Sequence, residues 1–100
     1  MMTIQFNTDR HISRKEELES RARTIISSQL NRFKEQITNI NVHLSGDKGS
    51  ELGQNGKRCM LEARLENKQP ITVTSYDETI EQSINDSLDK LKTSIETVLS

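Results

Sequence analysis

One hundred residues, 31% hydrophobic and 3% aromatic, bound a single domain with a thin core of Ile, Leu and Val that needs no metal or disulfide staple. The net charge is −1 and the pI about 6.1, far below that of a strongly basic domain, yet residues 1–68 carry 12 basic against 9 acidic side chains and residues 69–100 carry 2 against 6. The lone cysteine, Cys59, excludes an internal disulfide and agrees with a reducing cytoplasm, and no apolar run approaches the ~20 residues of a membrane helix.

Met2, Ile4 and Phe6 alternate with polar neighbours, so a strand opens the chain. Ser13-Arg14-Lys15-Glu16 reads as a capping box starting a helix. That helix places Leu18, Ala22, Ile25, Ile26, Gln29, Leu30 and Phe33 on one face and is expected to end near Glu35. Ile40, Val42 and Leu44 then alternate with Asn39, Asn41 and His43 as a second strand. Ser45 to Gly56 holds all four glycines and reads as a long, mobile hairpin loop.

Cys59, Leu61, Ala63 and Leu65 alternate with Arg58, Met60, Glu62 and Arg64 as a half-buried third strand. Past Asn67-Lys68-Gln69-Pro70, Ile71 and Val73 mark a fourth. The period then changes: Ile80, Ile84, Leu88, Leu91, Ile95 and Val98 have the spacing of an amphipathic helix, with Asp77 or Thr79 able to cap it. The order β-α-β-β-β-α is an α+β, two-layer sandwich: a four-stranded sheet with both helices on one face. The other face shows Gln5, Asn7, Asn41, His43, Glu62, Arg64, Thr72 and Thr74, as an antiparallel sheet with one solvated face allows.

Signals of catalysis are weak. His11 and His43 have no cysteine or carboxylate at ligand spacing, so no metal and no cofactor is expected. Glu62 and Glu66 sit where strands carry surface charge, and Cys59 is a small buried hydrophobe. Gly56-Lys57 does not make a phosphate loop, because Glu51 stands at the first glycine position, Arg58 replaces the hydroxyl residue, and a strand follows instead of a helix.

Basic residues are the more informative set. At ~100° per residue, Arg14, Arg21 and Arg32 fall within about 20° of one line beside the apolar stripe, with Arg23 and Lys34 on its other edge. Such a row can track phosphates with bidentate forks. It can equally snorkel around the core-facing stripe and pair with Glu17, Glu19 and Glu35, and the residues alone favour this second reading. Lys57, Arg58 and Arg64 add charge at the third strand. The polar sheet face offers at most Tyr76 for base stacking.

Three stretches carry a resemblance: Ile4-Gln5-Phe6-Asn7, Phe33 through Leu44, and Ile71-Thr72-Val73-Thr74 through Ile84-Asn85 to Asp89-Lys90-Leu91. In this order they resemble the ribosome hibernation promoting factor family, also called ribosome-associated inhibitor A or sigma-54 modulation proteins, in its short, one-domain form. The resemblance implies a fold like that of double-stranded-RNA-binding domains. It also implies binding to the 30S ribosomal subunit through 16S rRNA, in the channel used by messenger and transfer RNA. The action would be occupancy that blocks initiation during stress, with no membrane and no small-molecule substrate, in the cytoplasm. By position, Lys90 matches the lysine of the family's Asp-Lys-Leu motif. The chain differs in lacking a basic run after that motif, in Gln29 where lysine is common, and in a longer glycine-rich loop. The expected RNA-binding set is therefore Arg14, Arg21, Arg32, Lys57, Arg58, Arg64 and Lys90. The alternative is a diverged paralogue that keeps the fold and binds a protein instead of the ribosome.

Overall fold

The computed structural model describes residues 2–10, 12, 14–46 and 56–100. Four strands, β1 (Thr3–Thr8), β2 (Ile37–Ser45), β3 (Lys57–Leu65) and β4 (Ile71–Asp77), form one sheet in the order β1-β2-β3-β4. Helix α1 (Lys15–Gln29) lies between β1 and β2, and helix α2 (Ile80–Leu99) follows β4. His11, Ser13 and positions 47–55 of the glycine-rich loop lie outside the described residues.

Register puts the apolar positions in rows across the sheet: Ile4–Ile40–Ala63–Ile71, then Phe6–Val42–Leu61–Val73, then Thr8–Leu44–Cys59–Ser75. Both helices cover this side. Ile26 of α1 and Ile84, Leu91 and Ile95 of α2 are wholly buried in the same cluster as Ile40, Val42 and Leu61. Each such side chain contributes about 1.5–3 kcal/mol relative to exposure. α2 packs on β3 and β4, and Ser87 ties it down by donating to the Cys59 carbonyl at 3.0 Å.

Three local expectations are corrected. The sheet is mixed: β1 and β2 are parallel, because a full helix carries the chain back before β2 begins. α1 stops at Gln29 instead of running to Glu35. The chain tightens there to i→i+3 bonding, with Phe33 N–H on the Leu30 carbonyl at 2.9 Å, so a 3₁₀ turn over Asn31–Phe33 folds Phe33 back onto the core. The residue capping α1 is Arg14, at φ 54° and ψ 46°, with no side-chain cap bond. α2 does begin as expected, the Thr79 hydroxyl accepting from the Gln82 N–H at 3.0 Å.

Candidate nucleic-acid interface

The helices run in the same direction, since residues early in α1 meet residues early in α2 and late ones meet late ones. Arg21 pairs with Glu81 at 3.2 Å, and Lys92 Nζ donates to Gln29 Oε1 at 2.6 Å. Arg32, in the turn after α1, pairs with Glu96 and stacks its guanidinium 4.6 Å from the Phe33 ring centroid. Arg21 and Arg32 thus meet acids of α2, and among the described residues neither forms an ion pair with Glu17, Glu19 or Glu35.

At the amino-terminal ends of the two helices the surface opens into a cleft of about 310 Å³. Ile12, Leu18 and Ile80 form its apolar part, and Arg14, Arg21 and Lys57 bring three cations to it, with Glu17 and Glu81 also on its wall. Lys57 arrives there because it shares the odd parity of Cys59 and Leu61 and so points to the helix side of β3. Arg14 arrives there from its left-handed cap position, next to the start of α1. The cleft opens to solvent with its three cations beside two carboxylates, so an anionic group can reach it from the surface.

The remaining expected residues go elsewhere. Arg58 lies opposite Ser45 and Tyr76, and Arg64 opposite Asn39, which puts both on the open face of the sheet. The Arg58 Nε is buried with no hydrogen-bond partner among the described residues. Lys90 is on the β4 side of α2, donating to the Thr74 carbonyl at 2.6 Å. Beside it, burial and then the neighbouring Asp86 carboxyl raise Asp77 from its ordinary pKa, with Lys90 partly offsetting them. The structure therefore gathers Arg14, Arg21 and Lys57, adds Arg32 at the far end of the helix pair, and separates Arg58, Arg64 and Lys90 from them.

The family model for Sigma 54 modulation protein / S30EA ribosomal protein matches residues 6–99. The chain belongs to this family. Solved structures that share its fold include two of note. One is the Protein Y N-terminal domain of Thermus thermophilus, with a TM-score of 0.73 and 16% identity over 98% of this chain and 99% of that one. The other is a ribosomal subunit interface protein from Coxiella burnetii, with a TM-score of 0.67 and 14% identity over 97% and 94%. No curated protein sequence matches significantly. At these identities the structural likeness is one of fold, and the family assignment rests on the sequence match.

Sequence reasoning missed the acidic partners of the S30EA-type helix face. Glu81 and Glu96 lie 60 and 64 positions from the arginines they hold, beyond any local spacing rule. Arg23 was legible only as a flank of the stripe; in the fold it donates to the Ile4 carbonyl of edge strand β1 at 3.1 Å and lies 5.2 Å over Phe6. Among the described residues no cluster of three His, Cys, Asp or Glu side chains could hold a metal ion, and no helix is long and apolar enough to cross a membrane.

Proposed function

We propose that this chain is a ribosome-associated factor that binds 16S rRNA of the 30S subunit in the messenger and transfer RNA channel and restrains initiation by occupancy. The observation that carries the reading, beyond the family, is the convergence of Arg14, Arg21 and Lys57 on one cleft at the shared amino-terminal end of the helices. Guanidinium forks and an ammonium around an open cleft suit a polyanion backbone, and the Thr79-capped start of α2 adds the favourable end of a helix dipole. Arg32 extends the same face to the other end of the groove. Arg58 and Arg64 face away across the sheet, so they serve at most a second, peripheral contact. No covalent step is required, and the role is binding in the cytoplasm.

Channel occupancy is tested by co-sedimentation with isolated 30S subunits, bare or preloaded with messenger RNA and initiator transfer RNA. Binding to bare subunits and exclusion from loaded ones is the expected pattern. Equal binding to both would remove the channel from the account. No observation favours a protein-binding module over this reading.

A further inference from the structure

Arg21 and Arg32, at opposite ends of the α1–α2 groove, are both held by a carboxylate of α2. The pairs are half-exposed, with side-chain exposures of 58% and 51% for Arg21 and Glu81 and 61% and 50% for Arg32 and Glu96. Exposed pairs of this kind are weak and exchange readily. A carboxylate offers a guanidinium the same bidentate geometry that a phosphate does. Glu81 and Glu96 are 15 residues apart on one helix, so the two pairs are spaced by about 22 Å at 1.5 Å per residue.

Building on the RNA-binding reading, we propose that Glu81 and Glu96 are selectivity residues that stand in for RNA phosphates and must be displaced when RNA binds. Each arginine exchanges one oxyanion for another, so an adventitious phosphate contact yields little net attraction. Only an RNA surface that supplies phosphates to both ends, and to the cleft between Arg14 and Lys57, accumulates enough contacts to bind. The glutamates thereby suppress attachment to arbitrary RNA while leaving the arginines pre-oriented toward the groove. Because the acids belong to α2 and the cations to α1 and the turn after it, the packing of one helix on the other sets this balance.

The test compares the full chain with the double variant Glu81→Gln/Glu96→Gln and the charge-matched control Glu66→Gln/Glu78→Gln, whose exposed carboxylates hold no arginine among the described residues. The probe is a generic RNA duplex of mixed sequence. The Glu81/Glu96 variant is expected to bind it about fivefold to tenfold more tightly and the control less than about twofold, as expected from two exposed pairs. Arg21→Gln should cost more affinity in the Glu81→Gln background than in the native chain, a coupling that a purely structural or bulk-charge role does not produce. Equal shifts in both double variants, or no coupling, would overturn the proposal. Co-sedimentation with 30S subunits is run in parallel. Duplex results as expected without 30S binding would sink the ribosomal reading and leave this proposal standing, whereas 30S binding with no effect of the glutamates would do the reverse.

Discussion

Lys90 Nζ sits 2.6 Å from the carbonyl oxygen of Thr74. β4 is an edge strand, and this ammonium satisfies one of its backbone acceptors much as Arg23 does for Ile4 on the opposite edge strand, β1. Cations from both helices thus blunt both edges of the sheet, a recognised defence against edge-to-edge association. The lysine that matches the family motif is therefore engaged in holding α2 to β4.

Replacing Lys90 by Met should lower stability by about 1 kcal/mol, an exposed charge-assisted hydrogen bond. It should change 30S binding less than Arg21→Gln does. Chemical denaturation and co-sedimentation check the pair of effects. Unchanged stability together with lost binding would place Lys90 on the RNA instead.

Arg14 separates stability from function. Its φ of 54° is left-handed, a region that costs a non-glycine residue roughly 1–2 kcal/mol. Arg14→Gly should therefore raise the unfolding free energy by about 1 kcal/mol while weakening RNA binding by removing one cation from the cleft. A variant that is both less stable and unaltered in binding would contradict the role given to this residue.

Cys59 yields a pH prediction. Burial pushes its thiol from 9.0 to about 11, partly offset by Ser87 and Arg58. The folded value lies above the unfolded one, so the neutral thiol contributes nothing pH-dependent below about pH 9. Between pH 9 and 11 the unfolded chain loses its proton first, and stability falls as pH rises. Subtracting the denaturation profile of Cys59→Ala should isolate that slope. The native thiol should also resist thiol reagents until the chain unfolds, and rapid labelling at neutral pH would show that the site is open.

How much of this was legible follows from the range of each interaction. The change of period at Ile80 depends only on neighbours in sequence, and α2 begins there in the fold. The alternation of Cys59, Leu61 and Ala63 predicted a buried row, but in sequence Lys57 groups with Arg58 and Arg64 as charge at the third strand, and the fold puts it on the helix side instead. The early end of α1 was not legible, because Leu30 and Phe33 fit the apolar stripe in either helix type and tertiary contact chose the tighter turn. Direction in the sheet depends on where the chain returns, which strand periodicity does not encode. The arginines were visible, but not as the one helical row expected: of Arg14, Arg21 and Arg32 only Arg21 lies in α1, Arg14 precedes it as the left-handed cap and Arg32 follows in the 3₁₀ turn. The pairing of Arg21 and Arg32 with Glu81 and Glu96 arises only when the two helices lie side by side.

The most direct test of the helix face as the RNA-binding surface is the salt dependence of 30S binding for the native chain and for Arg14→Gln/Arg21→Gln/Lys57→Gln. The native chain should bind at low salt with an affinity that falls steeply as salt rises. The triple variant should bind more weakly, with a slope shallower by about 2–3 in log K against log salt, one increment for each lost phosphate contact. Identical affinity and slope in the two proteins, or no native binding even at low salt, would contradict the account.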